Sequence, residues 1–145
     1  MITFEAERRP KETLAFRLFL YFQRLVALGC LVAGLRYWAL LSGIQNEMWR
    51  FDLMEAHWQV ASTALAVLLP VAAVGLWMPV SWGPVIWFVA AIGETVMYLG
   101  FPDRFGDHPL VPAIHAAVAL IYATFRVILY VEKRRARRAV RVDSL

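Results

Sequence analysis

Three ionisable side chains lie deep inside apolar stretches of the sequence and are the residues best suited to chemistry: Arg36, Glu94 and His115. An isolated charge in an apolar environment is costly, so such residues need a partner. Arg36 and Glu94 carry opposite charges and are predicted at similar depth, which favours an ion pair between them. His115 and Tyr98 are predicted close to the same height. These four residues form the predicted polar cluster.

Two roles are open for this cluster. As a packing element, an Arg36–Glu94 pair would hold the first apolar segment against the third. As a functional element, it would bind a proton or a ligand. The depth match holds if the first segment begins at Leu25. If it begins at Leu18, Arg36 extends outward to the nearer surface instead.

Other residue patterns do not indicate catalysis or metal binding. Acidic residues and histidines of two connecting segments could share one face, but their spacing fits no ligand motif: Glu55, His57, Asp103, Asp107 and His108. The sequence has no G-x-S-x-G, H-E-x-x-H or glycine-rich phosphate loop. Cys30 is the single cysteine, so no intrachain disulfide or CxxC motif can form. We expect no metal, no cofactor and no enzymatic activity.

The composition excludes a soluble enzyme. Of 145 residues, 61% are hydrophobic and 18% charged, with a mean hydropathy of +0.57. Soluble domains have about 45–50% apolar and about 25% charged residues. Four membrane spans of about 20 residues would use nearly the whole chain, which also excludes a large transporter built from two repeats. A small integral membrane protein remains.

Four apolar segments are long enough to span a bilayer, at about residues 18–44, 58–78, 84–101 and 109–131. The second and third are nearly continuous, but Pro79, Gly83 and Pro84 break them into a helical hairpin. The sequence therefore predicts an all-α, single-domain, four-helix membrane bundle. Basic tails, residues 1–17 and 132–145, flank it.

The distribution of charge predicts the topology. Residues 1–24 carry five basic and three acidic groups, and residues 126–145 carry seven and two, whereas residues 43–110 are acidic overall. The positive-inside rule then places both termini in the cytoplasm of a bacterium, with the chain in its inner membrane. Basic residues at this side should contact anionic lipid headgroups: Arg24, Arg126, Lys133, Arg134, Arg135, Arg137, Arg138 and Arg141. A short basic tail is not a nucleic-acid-binding module, so we expect no nucleic acid.

Several motifs resemble an uncharacterised family of small four-helix inner-membrane proteins of alphaproteobacteria, over roughly residues 17–130. They are PVAAVGLW at Pro70–Trp77, WGPVIW at Trp82–Trp87, and the third helix with Glu94 followed by Phe105 and Gly106. That family has no established activity, so the resemblance implies a fold and no site residue. The layout is also similar to DoxX-like membrane proteins in span number and in one buried acid.

We therefore expect an accessory or structural protein that acts with other envelope proteins, through a membrane-protein partner or as a homo-oligomer. One alternative is a small proton-coupled carrier or ligand-binding bundle that uses Glu94, Arg36 and His115. A second alternative, implied by the DoxX-like layout, is a membrane redox partner that binds quinone or haem.

Overall fold

The computed structural model describes residues 13–44 and 51–142, with side chains described as far as residue 138; within these ranges all regular structure is helical. The α-helices are α1 (Leu14–Leu41), α2 (Ala56–Trp77), α3 (Trp82–Thr95), the short α4 (Pro102–Phe105) and α5 (Leu110–Val142). A 3₁₀ turn, Phe51–Leu53, precedes α2. A π-helical segment, Val96–Gly100, continues α3.

Four stretches of helix are long and apolar enough to cross a membrane: Leu14–Leu41, Ala56–Trp77, Trp82–Gly100 and Leu110–Arg138. They confirm the predicted all-α four-helix architecture, and each overlaps one predicted segment. By length and composition the chain is a multi-pass membrane protein. At 1.5 Å per residue the 28 residues of α1 extend about 42 Å, so this helix is tilted or reaches beyond a hydrocarbon core of about 30 Å.

The bundle has two distinct ends. The Thr13 hydroxyl donates a hydrogen bond of 2.9 Å to the Glu132 carboxylate, so the start of α1 and the last part of α5 lie together. The turn between α2 and α3, residues 78–81, lies there too, because it lines one cavity with Phe16 and Arg126. We call this the terminal end. The opposite, loop end contains the last turn of α1, the first turn of α2 and the connection between α3 and α5.

Close contact between α1 and α2 depends on one glycine and one proline. A Cβ atom at Gly34 would lie 2.7 Å from the Pro70 ring, so only glycine fits there. Pro70 has no N–H, which leaves the carbonyl of Ala66 without its helical partner. The indole N–H of Trp38 donates to that carbonyl at 2.9 Å. α2 therefore continues through Pro70, and Trp38 of α1 supplies the hydrogen bond that the Ala66 carbonyl lacks within α2.

The hairpin between α2 and α3 is equally close. A Cβ atom at Gly75 would lie 2.6 Å from the Cα atom of Gly83, and a Cβ atom at Gly83 would meet the backbone of Gly75. The backbone N–H of Val80 donates to the Gly75 carbonyl at 3.1 Å and closes the turn. The predicted break at residues 79–84 thus brings two helices together at glycines.

The core lies among α1, α2 and α3, and α5 is peripheral to it. Small residues dominate the most buried positions, which include Ala27, Ala66, Ala72 and Ala90. In the most apolar 18-residue window of α2, 44% of residues are buried, whereas in that of α5 none is. The fourth span is therefore attached along one edge of a three-helix core.

Candidate functional site

Glu94 is the centre of a buried polar cluster that joins three helices. It lies in the last turn of α3 and is 6% exposed. The Tyr37 hydroxyl, from α1, donates to its Oε1 at 2.7 Å. The Nε2 atom of His115, from α5, is hydrogen-bonded to its Oε2 at 2.7 Å. Each carboxylate oxygen thus has a partner on a different helix.

Glu94 and His115 form a hydrogen-bonded acid–base pair. A carboxylate beside an imidazolium and a carboxylic acid beside a neutral imidazole both have zero net charge, which is the condition a low-dielectric bundle favours. Counting side-chain atoms alone, Glu94 is 8% exposed and His115 is 16% exposed, so both side chains are well enclosed. Chemically, the pair can exchange a proton along one short hydrogen bond without changing its net charge.

Two features of α3 and its continuation lie next to the Glu94–His115 pair. The Trp87 ring, almost two turns before Glu94 on α3, lies 6.1 Å from the His115 ring. The backbone changes to a π-helix directly after Thr95. Such π segments are rare and frequently occur at functional sites. This one contains Tyr98, which lies beside the Tyr37 hydroxyl and is half-buried.

Arg36 is not part of this cluster, and the predicted Arg36–Glu94 ion pair is not formed. The buried positions of α1 recur every three or four residues: Phe19, Gln23, Ala27, Cys30, Gly34 and Tyr37. Adjacent residues on an α-helix are rotated by about 100°, so Arg36 is exposed while Tyr37 faces Glu94. The structure brings Glu94, Tyr98 and His115 together and puts Tyr37 in the position predicted for Arg36.

Apart from Arg141, the basic residues predicted to contact lipid headgroups lie on exposed surfaces near the terminal end. The guanidinium carbon of Arg24 lies 5.7 Å from the centre of the Trp77 ring. Arg126 is exposed and lines the cavity at this end. The exposed basic residues on the last turns of α5 whose side chains are described are Lys133, Arg134, Arg135, Arg137 and Arg138. The side chain of Arg141 lies outside the described part of the chain. Their binding of lipid stays a prediction.

At the loop end, His57 is bound within the protein. Its Nδ1 atom lies 3.3 Å from a Glu55 carboxylate oxygen, and its Nε2 atom lies 3.2 Å from the Arg104 carbonyl oxygen. His108 contacts the Tyr98 ring edge-on, with centroids 5.4 Å apart. Within residues 13–44 and 51–142 there is no group of three or more side chains suited to hold a metal ion.

These features define a class: a small multi-pass helical membrane protein with one buried Tyr–Glu–His cluster. The chain belongs to a family of unknown function, DUF6163, whose model matches residues 17–133. No curated protein and no solved structure gives a significant match.

Proposed function

We propose that this protein is a non-enzymatic accessory subunit of the bacterial inner membrane that works bound to another membrane protein. The observation that carries the proposal is the packing of α5. This helix is long enough to span the bilayer, yet no residue of its most apolar window is buried in the chain itself. A helix attached along one edge leaves most of its surface for other molecules.

The chemistry of that uncovered surface favours a helix as its occupant. The exposed residues in the first half of α5 include four alanines, Ala113, Ala116, Ala117 and Ala123. Both helices also expose large residues, such as Leu28 on α1 and Leu120 on α5, but none of the exposed residues of α1 is an alanine. Large aliphatic side chains suit lipid, whereas small ones allow two helix backbones to approach closely. The uncovered side of α5 therefore fits a transmembrane helix of a partner.

The Glu94 cluster supports this role as an internal tie. Both carboxylate oxygens are engaged by side chains of the same chain, Tyr37 and His115. In an apolar surrounding such bonds fix the position of one helix against another. The cluster then holds α5 at the edge of the core, where its other side is free to pack. No catalytic step is assigned to these residues.

Both termini are proposed to lie in the cytoplasm. The start of α1 and the last part of α5 share one end of the bundle, where the exposed basic turns of α5 begin with Lys133. Basic residues beside a span favour the cytoplasmic side and anionic lipids there. The acidic Asp103 and Asp107 would then face outward.

Purification from native membranes tests the accessory role. A tagged chain extracted in mild detergent should retain one membrane protein in a fixed ratio. Ala116→Phe should reduce that ratio at least tenfold, because a large ring prevents close helix approach. The matched control Leu28→Phe, on the exposed side of α1, should leave it unchanged. A chain recovered alone or only with itself, or equal effects of both variants, would contradict the proposal.

A second candidate, a small proton-coupled carrier or ligand-binding bundle, is favoured by one observation. Glu94 and His115 share a hydrogen bond of 2.7 Å inside the bundle, so a proton can move between them. Glu94→Gln separates the two candidates. If the cluster carries protons, the variant should abolish pH-dependent flux in proteoliposomes while the folded amount stays at the wild-type level. If it is a tie, the folded amount falls.

A further inference from the structure

Arg36 is a charged residue on the exposed surface of α1, and it lies at the depth of the middle of α2. Two residues before it, Gly34 packs against the Pro70 ring. Two residues after it, the indole of Trp38 bonds to the Ala66 carbonyl. Arg36 is therefore level with the middle of the 22-residue α2, roughly 14–18 Å from the two ends of that helix. Although α1 ends five residues after Arg36, α2 continues past that level toward the loop end.

The charge of Arg36 has no partner within the described part of the chain. The ion pairs there join histidines to glutamates at the loop end and in the Glu94 cluster, and neither involves Arg36. A charged residue inside a membrane span is costly unless it is paired, solvated or able to extend to the surface. The distance to either end of α2 is longer than an arginine side chain, so extension alone does not bring the guanidinium group to a bilayer surface. Arg36 therefore needs a partner from another molecule.

Gly29 is on the same side of α1 as Arg36. It lies two turns earlier, with a rotation of only about 20° around the helix. It is exposed, and a Cβ atom there would meet nothing within 4 Å, so the backbone of α1 is uncovered at this point. Leu28 is rotated by about 80° from Arg36, and Tyr37 by about 100°. An uncovered glycine lets the backbone of another helix approach closely. This side of α1 therefore offers close packing at Gly29 and a charge two turns later.

The guanidinium group of Arg36 favours a carboxylate, which can accept two parallel hydrogen bonds from it. A second copy of the chain has no free carboxylate at this depth, because the acidic residues within the four spans are Glu94 and Glu132. Glu94 is buried and hydrogen-bonded at both oxygens, and Glu132 binds Thr13 at the terminal end. Phospholipid phosphates lie at the bilayer surface, outside the hydrocarbon core. The observations therefore favour a helix of another protein.

We propose that the side of α1 that carries Gly29 and Arg36 binds a transmembrane helix of a partner protein with one aspartate or glutamate near the middle of its span. The partner backbone packs at Gly29, and its carboxylate pairs with Arg36. This inference rests on the proposed function in requiring a membrane-protein partner. It adds the chemistry of that partner and a second surface, separate from the exposed alanines of α5.

Energy transfer between the labelled full chain and labelled synthetic peptides, in phosphatidylcholine vesicles, tests the surface. The probes are two transmembrane peptides of about 20 leucines and alanines, one of which has a central aspartate in place of a leucine. The aspartate peptide should bind the wild type at least about tenfold more tightly than the leucine peptide, the minimum expected for a desolvated charge pair. Equal binding of the two peptides would overturn the proposal.

Substitutions of Arg36 show whether its charge is what the peptide recognises. Arg36→Gln should remove the preference for the aspartate peptide, and Arg36→Lys should keep part of it, because lysine retains the charge without the planar group. Arg24→Gln is the matched control on the same helix. It should leave the preference unchanged, because Arg24 lies beside Trp77 at the terminal end and the vesicles contain no anionic headgroups. Equal losses for Arg24→Gln and Arg36→Gln would contradict the assignment.

The two uncovered glycines locate the packing. Gly29→Leu should weaken binding of the aspartate peptide, because a side chain there separates the two backbones. Gly93→Leu places the same side chain at an equally open glycine of α3 and should leave binding unchanged. The melting temperature of each variant without peptide monitors its folding. Equal effects of the two glycine variants would overturn the placement on α1.

Recovery of the partner from native membranes separates this inference from the proposed function. If the retained membrane protein is lost with Ala116→Phe but not with Arg36→Gln, the accessory role stands and the α1 surface is refuted. If the wild type retains no membrane protein at all, both are refuted. The inference predicts that Arg36→Gln lowers the retained amount and that the retained protein has an acidic residue within a span.

Discussion

The Tyr37 hydroxyl donates a 2.7 Å hydrogen bond to Glu94, while its neighbour Arg36 is exposed on the other side of α1. The neutral phenol of Tyr37 therefore occupies the position beside Glu94 where the sequence predicted the guanidinium group of Arg36. A tyrosine adds a donor to the carboxylate without adding a second charge to desolvate. The second carboxylate oxygen of Glu94 is hydrogen-bonded to His115 from α5.

Tyr37→Phe should lower the free energy of unfolding by about 1–3 kcal/mol, because it removes a donor from a buried carboxylate. Arg36→Gln should change it by no more than about 0.5 kcal/mol, as expected for an exposed residue. Unfolding by SDS titration in mixed micelles measures both values. A larger loss for Arg36→Gln than for Tyr37→Phe would contradict the assignment of Tyr37 to the cluster.

Glu94 and His115 should be energetically coupled. Removing either partner leaves the other buried without its match, so Glu94→Gln and His115→Gln should each destabilise the protein. The double variant should lose less than the sum of both, with a coupling energy of about 0.6–1.7 kcal/mol by the scale of membrane hydrogen bonds. The SDS titration measures the free energy of unfolding of the wild type, of both single variants and of the double variant. Additive losses would mean that the observed contact contributes nothing to stability.

Glycines in the helix contacts should respond differently from glycines on open surfaces. Gly34→Ala and Gly83→Ala force a methyl group against Pro70 and against the Gly75 backbone, and should cost about 1–3 kcal/mol. At Gly29 and Gly93 an added Cβ atom meets nothing within 4 Å. Alanine there should be neutral or stabilise by about 0.5–1 kcal/mol, since it favours the helix. Thermal unfolding of the four variants compares the two pairs, and similar shifts in all four would refute the close approaches.

The bond from Trp38 to the Ala66 carbonyl should depend on Pro70. In the wild type, Trp38→Phe should cost about 0.5–1.5 kcal/mol, since that carbonyl loses its donor. With Pro70→Ala, residue 70 regains an N–H that can donate to Ala66. The same Trp38→Phe change should then cost measurably less. An equal cost in both backgrounds would show that Trp38 acts only through packing.

The length and apolarity of the segments were sufficient to predict four membrane helices, and Pro79, Gly83 and Pro84 were sufficient to predict the hairpin. The rotation of α1 was not predictable from hydrophobicity, because this helix is apolar on all sides. A different signal was present: Ala27, Cys30 and Gly34 are small residues at helical spacing, and Tyr37 continues that series. The charge of Arg36 instead favoured the neighbouring position.

The peripheral position of α5 was also beyond sequence reasoning. Its hydropathy equals that of α1, so composition does not distinguish a packed span from an uncovered one. The presence of His115 near Glu94, by contrast, agrees with the similar depth predicted for both residues, although the partner predicted for Glu94 was Arg36. Depth is readable from position along a span, whereas rotation and neighbours depend on side-chain packing between helices.

Site-specific photo-crosslinking in living membranes tests the central claim, that the uncovered side of α5 is the surface of a partner. A photoreactive residue is placed at Ala116, at Ala119 on the half-buried side of α5, or at Leu28 on α1. The account predicts one crosslinked membrane protein from position 116 and none from positions 28 and 119. Crosslinks to lipid alone from position 116, or the same products from positions 116 and 28, would contradict it.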